Sequence, residues 1–136
     1  MGNRIFIDTM YVVALVNEND EYHKRATELS EKYENSSFVT TEGVLLEIAN
    51  VLARNYKEQA VEIIEYFLSS DDVEIVHLNP TLFDKAFERY KTYLDKTWSL
   101  VDCISFEVMK EKGLIDALTG DKHFEQAGLN PLMKEK

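Results

Sequence analysis

The sequence predicts an α/β fold: a three-layer α/β/α sandwich built around a short, mostly parallel sheet. Three observations carry this. Short apolar runs recur along the chain at Ile5-Phe6-Ile7, Phe38-Val39-Thr40, Val73 to Val76 and Leu114 to Leu118. Segments with apolar residues at helical spacing separate them. The first run is also unbroken rather than alternating, as suits a strand buried on both faces of a parallel sheet. The 136 residues are 45% hydrophobic and contain five Gly and two Pro. Without a repeat, a low-complexity tract or a visible boundary, one domain over residues 1–136 is expected.

Arg4-Ile5-Phe6-Ile7-Asp8 reads as the first strand, and it stops at an acid. A helix follows through Tyr11 to Val16, then a loop over Asn17-Glu18-Asn19-Asp20. Asp20 is expected as the N-cap of a helix from Glu21 to about Glu34, which closes at Asn35-Ser36-Ser37. After the strand at Phe38, Val44, Leu45, Ile48, Val51 and Leu52 mark a helix from Glu42 to Asn55, and a second amphipathic stretch runs from Lys57 to Leu68. Asn79-Pro80, beyond the third strand, is a cap followed by a proline at the first helical position, opening a helix to about Tyr93. Ser99 opens the next helix, which ends at Lys112-Gly113 with a basic last turn and a glycine stop. The fourth strand follows, Asp121 starts a brief final helix, and Leu129 to Met133 adds an edge strand.

Composition narrows the function classes. Fifteen basic residues against 25 acids give a net charge of −10. A pI near 4.7 argues against non-specific nucleic-acid binding through a broad basic face. It leaves room for a nuclease, because bound metal ions reverse the sign of a carboxylate-rich cleft. One cysteine, Cys103, excludes a disulfide framework and a thiolate-rich zinc site, and is read as core. The longest apolar stretch, Met10 to Val16, is too short to span a bilayer. No charged-then-apolar leader precedes it, and Phe6 stands where a myristoylation signal needs Ser or Thr. A soluble cytoplasmic domain is expected.

Ligands of open parallel sheets gather outside the carboxyl ends of the strands. Asp8 closes the first strand there, and Asp121 follows the fourth across Thr119-Gly120. Glu47 lies three residues after Val44 and four before Val51, at the border of the apolar stripe, with Arg54 further along the same edge. Asp102 flanks the stripe of Val101, Ser105, Val108 and Met109. Four such carboxylates suit Mg²⁺ or Mn²⁺. Each also has a plainer reading. Ser99-x-x-Asp102 forms a capping-box pattern, Asp121 and Asp8 each precede a helix, and Glu47 has Arg54 as a partner. Periodicity leaves both readings open.

Four motifs in order resemble the PIN (PilT N-terminus) domain family: Phe6-Ile7-Asp8-Thr9, then Leu45 to Leu52 around Glu47, then Ser99 to Phe106 around Asp102, and Ala117 to Phe124 around Asp121. The resemblance spans essentially the whole chain and is strongest toward the small prokaryotic members, VapC-type toxins among them. It implies a ribonuclease that uses one or two Mg²⁺ or Mn²⁺ ions and leaves a 5′-phosphate and a 3′-hydroxyl. Asp8, Glu47, Asp102 and Asp121 would be its catalytic, metal-binding acids, with Asp8 and Asp102 the first choice as direct ligands. Thr9, Ser105 and Thr119 would be hydroxyls supporting them. A toxin of this kind is expected to have an antitoxin, and the net charge of −10 and the acidic cleft predict that its basic segment enters the cleft; the resemblance also implies a homodimer. Asp116, a charge in or beside the fourth strand, departs from the family pattern.

The remaining candidates have weaker claims. His23, His77 and His123 lack mutual ligand spacing, and none is read as a metal ligand. Lys122, His123, Arg25, Arg54 and Lys57 are candidate phosphate contacts, set against a solvated-surface reading. Trp98 and Tyr93 are candidate base-stacking residues, set against packing. A haloacid-dehalogenase-like phosphatase needs a second Asp where Met10 stands, and a receiver domain needs an acid after its third strand, whereas Asp71 and Asp72 precede it. No Gly-rich phosphate loop is present. The alternative kept open is a PIN-fold nucleic-acid-binding or interaction module with negligible nuclease activity.

Overall fold

The computed structural model describes residues 4–134. Five parallel strands form one sheet: β1 (Arg4–Ile7), β2 (Ser37–Thr41), β3 (Val73–Val76), β4 (Asp116–Leu118) and β5 (Asn130–Pro131), in the order β3-β2-β1-β4-β5. Every pairing is parallel, so the expected mostly parallel sheet is all-parallel. Seven helices flank it: α1 (Thr9–Val16), α2 (His23–Lys32), α3 (Glu42–Leu52), α4 (Lys57–Ser69), α5 (Pro80–Thr92), α6 (Leu100–Lys112) and α7 (Lys122–Gln126).

The strand order sets the site. From β1 the chain moves outward through β2 and β3, then returns to the other side of β1 with β4. The order therefore reverses between β1 and β4, the seam where open α/β sheets leave a crevice. Phe6 pairs with Ala117 and Ile7 with Leu118, so Asp8 and Thr119 leave the sheet side by side. The core beneath is aliphatic-aromatic, with Phe6, Ile48, Leu52, Met109, Leu118 and Phe124 among its buried side chains.

Local chemistry explains the boundaries. Asn79 and Thr41 cap α5 and α3 through their side chains, and Pro80 begins α5 as expected. Gly113, at φ 69°, ends α6 in the left-handed region, and Leu114 N–H reaches back to Met109 C=O. That bond consumes Leu114, so β4 begins at Asp116 rather than at Leu114. Asp116 accepts from Asn130 Nδ2 at 2.9 Å, which places its charge at the sheet margin. Asp20 is not the cap of α2. Its Oδ1 accepts from Tyr22 N–H at 2.8 Å, closing a turn, and the helix starts at His23. No helix among the described residues is long and apolar enough to cross a membrane.

Trp98 is packing, not a stacking platform. It is buried against Tyr93 and Phe106, with ring centroids 5.0 and 5.1 Å away, and Phe106 meets Phe124 at 5.0 Å. Its indole N–H donates to Gln126 Oε1 at 2.9 Å. These contacts pin the α5–α6 connection to α7 at a residue flanked by Thr97 and Ser99.

Candidate functional site

Beyond the carboxyl ends of β1 and β4 lies a cleft of about 410 Å³. Asp8, Asp20, Glu47, Asp102, Asp121 and His123 supply its titratable lining. Among the described residues no Lys or Arg lines it. A larger concavity of about 680 Å³ lies between α5 and α6, where Lys85, Arg89 and Lys110 are interspersed with Glu88, Glu107 and Glu111. Mixed charge there gathers no one chemistry, and the acidic cleft is the candidate site.

The four sequence-derived acids all face this cleft, and one oxygen of each is held by a protein donor. Thr119 Oγ1 donates to Asp8 Oδ2 at 2.8 Å. Thr9 Oγ1 donates to Glu47 Oε1 at 2.6 Å. Asp102 Oδ2 accepts from Ser99 N–H at 3.1 Å, and His123 Nδ1 lies 2.9 Å from it. Asp121 Oδ1 accepts from His123 N–H at 2.9 Å. Fixing one oxygen orients each carboxylate before any ligand arrives.

The plainer readings resolve unevenly. Asp102 completes the capping box with Ser99, and Asp121 caps α7, yet both also line the cleft. Asp8 occupies the cap position of α1 without a side-chain cap hydrogen bond. Glu47 does not pair with Arg54, because α3 ends at Leu52 and the seven-residue spacing does not stay helical.

Electrostatics make two of the acids, Asp8 and Asp102, costly to ionise. Burial pushes the Asp8 carboxyl up to about 7, against the Thr119 hydrogen bond, and the Asp102 and Glu47 charges add to the rise. Burial also raises Asp102, helped by Asp121 and opposed by Ser99 and His123. Donor atoms of Asp102, Asp121 and His123 lie within 4.8 Å of one another. Asp8 and Glu47 stand outside that compact group but line the same cleft. An oxygen-rich, cation-poor donor set at destabilised carboxylates fits a hard divalent ion.

A family model described as "PIN domain" matches residues 5–129. The chain belongs to the PIN domain family. Two sequences named "23S rRNA-specific endonuclease VapC20", from Mycobacterium tuberculosis strains CDC 1551/Oshkosh and H37Rv, are each 31% identical over 124 residues, covering 91% of this chain and 94% of theirs. The crystal structure of M. tuberculosis VapC20, described as a sarcin-ricin loop cleaving toxin, superposes with a TM-score of 0.83 at 29% identity over 92% of this chain and 95% of that one. VapBC2 from Rickettsia felis, bound to a promoter DNA fragment, shares the PIN fold with a TM-score of 0.64 at 17% identity, covering 95% of this chain and 97% of that one.

Within this PIN domain the expected supporting hydroxyls separate. Thr9 and Thr119 hold Glu47 and Asp8. Ser105, one turn along α6 from Asp102, is fully buried, and its Oγ has no hydrogen-bond partner among the described residues. It therefore supports none of the four acids in this arrangement. Two further residues line the cleft in roles other than those the sequence predicts, a phosphate contact for His123 and a helix cap for Asp20. Asp20 brings a fifth carboxylate to the cleft by folding its loop over α1. His123 turns its ring onto Asp102 and Asp121, with Nε2 3.1 Å from Thr97 Oγ1. The Asp121-x-His123 spacing at a helix start was the available signal. Arg25, a candidate phosphate contact, donates from Nη2 to Leu132 C=O at 3.2 Å and lies 3.6 Å from Glu28.

Proposed function

We propose that this PIN domain is a metal-dependent endoribonuclease that hydrolyses RNA phosphodiester bonds as the toxin of a toxin–antitoxin pair. One observation carries the chemistry: four carboxylates meet at the sheet's reversal point, each with an oxygen fixed by a neighbouring donor. The endonuclease relatives, aligned over nine-tenths of the chain, supply the reaction class. Asp8, Glu47, Asp102 and Asp121 are the catalytic, metal-binding residues of this reading, and one or two Mg²⁺ or Mn²⁺ ions are its cofactor. When bound, such an ion lowers the pKa of an attacking water and stabilises charge building on phosphorus.

The chain's own groups perform the rest. Thr119 and Thr9 keep Asp8 and Glu47 from rotating, so these carboxylates meet the incoming charge without reorganisation. The capping box fixes Asp102 to the N-terminus of α6. In-line attack by water then yields a 5′-phosphate and a 3′-hydroxyl. The protein acts in the cytoplasm as a homodimer of single-domain chains, and its antitoxin inserts a basic segment into the cleft. Assay of 23S rRNA fragments with Mg²⁺, with Mn²⁺ and with EDTA tests the reading. Cleavage that requires metal and disappears in Asp102→Asn is expected; RNA binding without cleavage would select a PIN-fold binding module instead.

A further inference from the structure

We propose that His123 is a positioning residue for Asp102, holding its carboxylate with Nδ1–H while Thr97 locks the far side of the ring. This deepens the nuclease reading and rests on it. His123 Nδ1 lies 2.9 Å from Asp102 Oδ2 and 3.4 Å from Asp121 Oδ1. A lone pair on Nδ1 would face two carboxylate oxygens, so the network assigns the proton to Nδ1. Nε2 then accepts from the Thr97 hydroxyl, 3.1 Å away. In this geometry Nδ1–H acts as a donor to the Asp102 carboxylate. The ring completes the restraint on Oδ2, which also accepts from Ser99 N–H, and leaves Oδ1 as the oxygen to present to a cation.

The surroundings are built for this restraint. The His123 side chain is only 19% exposed, on the first turn of a helix whose cap, Asp121, accepts the His123 backbone N–H. Thr97 and Ser99, the residues that hold the ring and the carboxylate, flank Trp98. Trp98 is anchored through Gln126 to α7, the helix that carries His123. One packed unit therefore fixes both ends of the Thr97–His123–Asp102 chain. Losing an outer partner of a metal-binding carboxylate lowers metal affinity by roughly 10–100-fold.

The test is Mn²⁺ binding by isothermal titration, beside RNA cleavage, for the wild type and for His123→Ala, His123→Asn, His123→Asp and Thr97→Val. Melting in EDTA confirms that each variant folds. Asparagine can place an amide N–H near the Nδ1 position, whereas aspartate supplies a metal ligand but no donor. Expected are Mn²⁺ binding weakened roughly tenfold in His123→Ala, restored to within about threefold in His123→Asn, and not restored in His123→Asp. Thr97→Val should fall between wild type and His123→Ala. Tight Mn²⁺ binding by His123→Asp with loss in His123→Asn would overturn the proposal and make His123 a ligand. Unchanged binding in His123→Ala would also overturn it. Mn²⁺ binding that follows the expected series without RNA cleavage by the wild type would sink the nuclease reading alone. Absence of Mn²⁺ binding by the wild type would overturn both.

Discussion

Thr119 ties Asp8 to the opposite strand: its Oγ1 donates to Asp8 Oδ2 at 2.8 Å and accepts from Asp121 N–H at 3.1 Å. One hydroxyl thereby couples the acid after β1 to the backbone of the acid after β4. Thr119→Val keeps the volume and removes both bonds. It should cost about 1–3 kcal/mol of stability, because a buried carboxyl and an amide lose a partner. Metal-dependent cleavage should fall at least tenfold, since Asp8 is no longer oriented. Full activity in Thr119→Val would show that Asp8 needs no orientation by this hydroxyl.

Asp8→Asn sets stability against activity. Burial and the Asp102 and Glu47 charges make the ionised Asp8 costly in the metal-free protein. The amide keeps the shape and removes the charge, so in EDTA at pH 7 the protein should be stabilised by up to about 4 kcal/mol and melt higher. Cleavage should be abolished, and the upward shift of melting by Mn²⁺ should shrink. Asp116→Asn, at the sheet margin beside Asn130, should change neither by more than about 0.5 kcal/mol. An Asp8→Asn protein that melts lower in EDTA would assign Asp8 a structural role.

The same acid gives the metal-free protein a pH dependence of defined sign. Asp8 has a folded pKa of about 7 against an ordinary 3.8, so between these values the folded state holds more protons than the unfolded one. Stability therefore falls as pH rises from about 4 to 7, with a limiting slope of about 1.4 kcal/mol per pH unit, and levels off above. The difference between wild type and Asp8→Asn isolates this contribution from Glu42 and Glu74. Those two carboxyls lie below their ordinary values through His77 and Arg4, and their stabilisation is lost in acid instead. Chemical denaturation in EDTA at pH 5, 6 and 7 checks it. A wild-type minus Asp8→Asn difference that does not change over that range would contradict the raised carboxyl.

Much of this site was legible because its acids interrupt patterns that the core imposes. Asp8 ends an apolar strand, and Glu47 breaks the edge of a helical stripe whose centre, Ile48, is fully buried. Asp102 shows why pattern alone left its role open: the same carboxylate completes a capping box and faces the cleft, so the two readings were never rivals. The place of His123 beside Asp102 was not legible. Asp102 lies 21 residues away on α6, and the packing of Trp98 on Phe106, and of Phe106 on Phe124, helps set the distance between α6 and α7. Asp20 failed differently, because its carboxylate closes a local turn to Tyr22 N–H two residues before the helix begins. Cap preference does not distinguish those neighbouring solutions.

The last prediction concerns the inhibitor. The cleft presents Asp8, Asp20, Glu47, Asp102 and Asp121 and, among the described residues, no Lys or Arg, on a chain of net charge −10. In the proposed reading two cations compete for those charges: a divalent ion, and a guanidinium from an antitoxin. The guanidinium's planar fork pairs with a carboxylate through two parallel bonds, which an ammonium cannot reproduce. A basic antitoxin peptide should therefore bind metal-free protein at least tenfold more tightly with Arg than with Lys at the inserted position. Replacing that Arg by neutral citrulline should remove binding. Asp102→Asn should weaken the Arg peptide, and rising Mn²⁺ should displace it in proportion to occupancy of the site. Fluorescence anisotropy of labelled peptides across a Mn²⁺ series measures all of these. Peptide affinity indifferent to both Mn²⁺ and Asp102→Asn would place the inhibitor's basic residue outside the cleft, and inhibition would then have to work by blocking RNA rather than by replacing the metal.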